Sequence, residues 1–107
     1  MTQTTNVHFN KVLIIGVGLI GGSLGLALKK AKMADRILGV GRSKSNLDEA
    51  LQLGAIDEVV SLAQGAAQAD LIVVCVPVAQ TEEILKQIKP YLKPDAIVTD
   101  VGSTKMD

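Results

Sequence analysis

Unbroken apolar runs, not alternating ones, set the rhythm of this chain. Val12-Leu13-Ile14-Ile15 is apolar at every position, and so is Leu71-Ile72-Val73-Val74-Cys75-Val76. A strand with one wet face alternates with period two, so an unbroken run predicts a strand covered on both faces. Lys11–Val17 and Leu71–Val76 read as such strands, with Arg36–Val40, Glu58–Val60 and Ala96–Thr99 as shorter ones.

Between the strands the period lengthens. Ile20–Lys32 predicts a helix, with Leu24, Leu26, Ala27 and Leu28 in its middle and lysines at its end, where cations suit the helix dipole. Ser45–Leu53 predicts a second helix, with Ser45 as N-cap and Gly54 just past its end. Thr81–Lys89 predicts another, its stripe made by Ile84, Leu85 and Ile88. Pro77 closes the strand before it, and Pro90 and Pro94 bracket the turn after it. Ser61–Ala69 is ambiguous and fits a helical turn, while Val101–Asp107 opens a further connection. Strands alternating with helices in this way predict the α/β class: a Rossmann-type, doubly wound parallel sheet, truncated after about five strands. Residues 1–9 read as a flexible lead-in and 10–107 as one domain, a length that suits part of a longer chain better than a whole two-site enzyme.

Composition removes several classes of partner. The 107 residues carry 11 basic and 11 acidic side chains, a net charge of zero, so neither nucleic acid nor an anionic membrane surface is implied. Phe9 and Tyr91 are the only aromatics, which argues against base stacking as a binding mode. No apolar run approaches the ~20 residues of a membrane span. The single cysteine, Cys75, can form neither an internal disulfide nor a multi-cysteine metal framework, which fits a reducing, cytoplasmic setting.

The candidate chemistry lies at the turn after the first strand, Gly16-Val17-Gly18-Leu19-Ile20-Gly21. A G-x-G-x-x-G between a strand and a helix is a phosphate cradle. Gly16 permits the tight turn, Gly18 lets backbone approach a pyrophosphate, and Gly21 lets the helix pack closely on the strand. The N-terminus of that helix then faces the phosphates with free N–H groups. The bland alternative is a glycine-rich turn without a ligand.

Such cradles carry an acidic residue about 20 positions on, which accepts from the ribose 2′-hydroxyl and repels a 2′-phosphate. Here that position is Gly41, followed by Arg42, Ser43 and Lys44. Arg42 can stack on adenine or bond a phosphate, and Ser43 can donate. The expected cofactor is therefore NADP rather than NAD; otherwise Arg42 and Lys44 are ordinary solvated loop cations.

Ligands of open α/β sheets sit beyond the carboxyl ends of the strands. This puts Cys75, Val76, Pro77 and Val78 beside the cofactor, and Asp100, Gly102 and Ser103 at the same edge. Cys75 also reads simply as a small buried hydrophobe, and Asp100 or Ser103 as a helix cap. His8, the only histidine, precedes the first strand at the far end and makes a poor base.

Three stretches together resemble prephenate and arogenate dehydrogenases: Gly-Val-Gly-Leu-Ile-Gly-Gly-Ser (16–23), Ala-Asp-Leu-Ile-Val-Val-Cys-Val-Pro-Val (69–78) and Thr-Asp-Val-Gly-Ser-Thr-Lys (99–105). The resemblance implies an oxidative decarboxylation of prephenate or arogenate on the way to tyrosine, with hydride passing to NAD(P). It implies that Ser103 contacts the substrate ring hydroxyl and the catalytic histidine, which belongs to a His-Pro motif beyond Asp107. It implies a homodimer built through a helical domain that this chain lacks, and therefore a piece that binds NADP without turnover. Arg42 and Ser43 match family members that use NADP. The alternatives are the cofactor domain of another dehydrogenase, such as one acting on a β-hydroxyacid, and a regulatory domain that senses the dinucleotide without chemistry.

Overall fold

The computed structural model describes residues 8–16 and 19–100. Among these, five strands form one sheet: β1 (Phe9–Ile15), β2 (Ala34–Val40), β3 (Glu58–Val59), β4 (Leu71–Val74) and β5 (Ile97–Asp100). Four helices connect them: α1 (Leu19–Lys30), α2 (Lys44–Leu53), α3 (Leu62–Gln68) and α4 (Val78–Ile88). The strand order is β3-β2-β1-β4-β5 and every pairing is parallel. Ile15, at the end of β1, lies between Val40 of β2 and Val74 of β4.

The apolar runs are explained by two cores, one on each face of the sheet. Val12, Ile14, Ile37 and Val73 pack with Leu28 of α1 and with Leu47 and Ala50 of α2. The residues between them, Leu13, Ile15, Leu38, Ile72 and Val74, pack with Ala66 of α3 and Ile88 of α4. Each neighbour along β1 thus enters the opposite core, and Val12, Leu13 and Ile14 are wholly buried. Full burial stabilises by about 1.5–3 kcal/mol per side chain of this size. Chain direction follows from the same arrangement. The chain leaves β1 through α1 towards β2, but leaves β4 through α4 towards β5. The carboxyl ends of β1 and β4 therefore flank the point where the winding reverses.

Several boundaries differ from the sequence expectation. β1 begins at Phe9, whose N–H donates to the Met33 carbonyl (2.8 Å), and it ends at Ile15. Ser43, not Ser45, caps α2: its backbone is extended and its Oγ accepts from the Asn46 N–H. Ser45 lies inside the first turn, with its hydroxyl 3.2 Å from that of Ser43. Gly54 does end α2, in the left-handed region at φ +81°. The ambiguous stretch becomes helix α3, started by a capping box between Ser61 and Gln64. α4 starts at Val78, three residues early, because Pro77 forms its N-cap and the Pro77 carbonyl accepts from the Gln80 N–H and the Thr81 hydroxyl.

The amino ends of the strands are tied by Asp70. Its Oδ2 accepts from the Asn10 and Lys11 N–H groups at 3.0 and 3.1 Å, and its Oδ1 accepts from Lys93 Nζ. The Lys93 hydrogen bond, with that of the Lys11 N–H, holds this carboxyl below its ordinary value of 3.8 against the opposing push of burial. A carboxylate with a depressed folded value contributes stability above the unfolded value and loses it as pH falls through the folded one. Asp70→Ala should cost about 1.5–3 kcal/mol at neutral pH, the range for hydrogen bonds to a charged group. Urea unfolding at falling pH should show the gap to wild type narrowing below about pH 4. A gap that widened in acid would contradict this role.

Candidate functional site

The site is built from three strand exits at the carboxyl edge of the sheet. At the first, Gly16 turns the chain out of β1 at φ +89°, where L side chains are strained. Its N–H donates to the Val40 carbonyl at 2.6 Å. A Cβ on Gly16 would sit 2.9 Å from both the Cys75 carbonyl oxygen and Val76 Cγ1. Only a glycine lets the exits of β1 and β4 approach so closely. Gly21 brings α1 onto β1: its Cβ would lie 3.1 Å from the Gly16 carbonyl oxygen and from Ile14 Cγ2. Leu19 and Ile20 are the first two residues of α1, so the helix N-terminus opens at this edge. The first turn of α1 holds no acidic residue, and Lys29 and Lys30 occupy its last turn. Gly18 lies outside the described residues.

At the second exit, Val40 is followed by half-buried Gly41 and exposed Arg42. One Arg42 guanidinium nitrogen, Nη2, donates to Gln80 Oε1 at 3.2 Å. Ser43 spends its oxygen as the cap of α2, and Lys44 is the first residue of that helix. Two cations thus flank the N-terminus of α2, whose first turn has no carboxylate. That end of a helix carries a partial positive charge, so cations there are electrostatically unfavourable.

At the third exit, β4 stops at Val74, though the Cys75 N–H still donates to the Ile15 carbonyl at 2.8 Å. Cys75 is half-buried. Burial, and behind it the charge of Asp100, push its thiol up to about 11. It is a neutral, small apolar group near pH 7, which suits packing rather than nucleophilic work. Val76 lines the opening, Pro77 caps α4, and Val78 is the first residue of that helix. Asp100 ends β5, in register with Val74. Gly102 and Ser103 lie outside the described residues. His8 stands at the other edge, 3.0 Å from Asp35.

These exits border a cleft of about 290 Å³. Ile15, Gly16, Val40, Gly41, Arg42 and Val76 line it from the sheet side. Leu62, Gln80, Ile84 and Gln87 line it from α3 and α4. The sequence pattern shows the Ile84 stripe of α4, but it starts the helix at Thr81 and so does not bring Gln80 to the cleft, whereas α4 begins at Val78. A second hollow, about 270 Å³, lies between α1 and α2 against Gly22, Leu26, Glu49 and Leu53. None of the site residues expected from the sequence borders it.

A doubly wound parallel sheet with a glycine turn at its winding reversal, a helix N-terminus beside it and a partly apolar cleft next door defines a dinucleotide-binding domain of the Rossmann type. The chain belongs to the family of the prephenate dehydrogenase nucleotide-binding domain, whose model matches residues 24–107. It is 46% identical over 98 residues to a prephenate dehydrogenase of Lactococcus lactis subsp. cremoris, covering 91% of this chain and 27% of that protein. In three dimensions it is similar to Synechocystis arogenate dehydrogenase, with a TM-score of 0.78 and 34% identity over 89% of this chain and 34% of the other. It is also similar to the A. aeolicus prephenate dehydrogenase crystallised with hydroxyphenyl propionate and NAD+, with a TM-score of 0.77 and 33% identity over 85% of this chain and 32% of that one. The chain thus spans between a quarter and about a third of the length of these relatives.

Proposed function

We propose that this chain is the NADP-binding domain of a longer cytoplasmic enzyme that oxidatively decarboxylates prephenate or arogenate. The observation that carries the cofactor choice is the exit of β2. Gly41 stands where a ribose-binding carboxylate would be, and Arg42 opens onto the cleft. The residues present fit the group. Gly16 and Gly21 leave the space that side chains would fill, and the α1 N-terminus supplies N–H donors to a pyrophosphate. Leu62 and Ile84 offer apolar walls to the adenosine end, and Arg42, Ser43 and Lys44 offer charge and donors to its 2′-phosphate. When bound, the nicotinamide supplies the hydride acceptor. Cys75 and Val76, beside Gly16, pack at the winding reversal and keep water from that end. Asp100 ends β5 at the same edge; Gly102 serves the cofactor and Ser103 the substrate in this reading. The catalytic histidine and the helical domain that closes the substrate pocket and pairs two subunits belong to the rest of the enzyme.

Arg42→Ala tests the cofactor choice. Hydrogen bonds to a charged group contribute about 1.5–3 kcal/mol, so NADP affinity should fall about 10- to 100-fold. NAD affinity should change by no more than about twofold, since NAD lacks the phosphate that a charge-assisted bond would reach. Calorimetric titration with both cofactors decides it. An Arg42→Ala chain that kept its NADP affinity, or a wild-type chain that bound NAD more tightly, would sink the NADP reading.

A further inference from the structure

We propose that Gln80 is a specificity-determining positioning residue, holding Arg42 over the cleft for the 2′-phosphate of NADP; the assignment rests on the NADP reading above. Arg42 and Gln80 are 38 positions apart and come from different elements, the β2–α2 loop and the first turn of α4. They meet across the cleft, with Gln80 Oε1 accepting from Arg42 Nη2 at 3.2 Å. Gln80 is the fixed partner. Its own N–H donates to the Pro77 carbonyl at 2.8 Å and it is a half-buried residue of the first turn of α4, whereas Arg42 is exposed on a loop.

The chemistry of the holder matters as much as its position. Among the described residues Arg42 has no carboxylate partner; its salt bridges are absent while Lys29, Arg36 and Lys93 each have one. A neutral amide directs a guanidinium without cancelling its charge, so the full charge remains for an incoming phosphate. Holding a long side chain in place before the ligand arrives removes part of the ordering cost of binding. The holder therefore favours NADP and is indifferent to NAD.

Calorimetric titration of the chain with NADP and with NAD, on wild type, Gln80→Met, Gln80→Glu, Arg42→Ala and the double variant Gln80→Met/Arg42→Ala, tests this. Gln80→Met keeps the length and loses the acceptor, and should weaken NADP about three- to tenfold with NAD unchanged, a span set by the ordering cost of one side chain. Gln80→Glu keeps the hold but pairs the charge, and should weaken NADP at least as much. In the Arg42→Ala background, Gln80→Met should change nothing further. A merely structural role would instead lower both cofactors together, or act equally in the Arg42→Ala background, and either result overturns the assignment. So does unchanged NADP affinity in Gln80→Met where Arg42→Ala loses it, a result that leaves the NADP reading standing. A wild-type chain that prefers NAD overturns both.

Discussion

Gly16→Ala should weaken nucleotide binding about 100-fold. Two costs coincide at this position. Left-handed backbone costs a non-glycine residue of order 1–3 kcal/mol at such sites. The added Cβ also meets the Cys75 carbonyl oxygen and Val76 Cγ1 at 2.9 Å, closer than carbon and oxygen tolerate without movement. The free chain relieves both by moving the turn away from β4, and binding must then restore the cradle. About 3 kcal/mol restored on binding corresponds to about 100-fold in affinity. The melting temperature serves as the control, because strain that the free chain cannot relieve appears there instead. Gly16→Ala binding NADP within a fewfold of wild type would remove the turn from the site.

The second large effect concerns stability rather than binding, and sits one turn further along α1 from Gly21. A Cβ on Gly25 would lie 2.2 Å from the Ala55 carbonyl oxygen. In a helix interior alanine is favoured over glycine by about 1 kcal/mol. Here that preference loses, since a backbone carbonyl cannot turn aside and α1 must back away from the loop after α2. Overpacking of this kind costs about 1–3 kcal/mol, occasionally more, and this contact is at the severe end. Gly25→Ala should lower the melting temperature by about 10 °C, at roughly 4–8 °C per kcal/mol for a domain of this size. Gly22, one turn earlier in α1, has nothing within 4 Å of its Cβ position. Gly22→Ala should leave stability unchanged or raise it by up to about 1 kcal/mol. Thermal melts that ranked the two alanine variants the other way would contradict the packing of α1.

The contrast between these glycines marks how far the sequence could be read. The sheet was legible because β1 and β4 are buried on both faces, and burial leaves an unbroken apolar run. The cradle was legible because Gly16 and Gly21 have a fixed spacing. Gly25 was not, since its requirement comes from Ala55, thirty positions away across a helix–loop contact. Helix α3 was obscured by its small residues, of which Gly65 is needed to clear Leu13: a Cβ there would lie 2.6 Å from Leu13 Cδ1. Its Ser61–Gln64 capping box was a readable start that the weak apolar stripe of α3 hid. The wall of the cleft formed by Leu62, Gln80 and Ile84 depended on how α3 and α4 meet over the sheet, which no local pattern encodes. Ser43 and Ser45 compete for one cap, and only the extended backbone at Ser43 decides between them.

The most direct test of the account is a map of backbone amide NMR shifts during titration of this chain with NADP. Saturable shifts are expected at Gly16, Leu19 to Gly21, Gly41 to Ser43, Cys75, Val76 and Val78 to Gln80, with weaker effects for NAD at Gly41 to Ser43. Asp70 and Lys93, at the opposite edge of the sheet, should stay still. Shifts centred on the hollow between α1 and α2, or no saturable shift at the turn after β1, would contradict it.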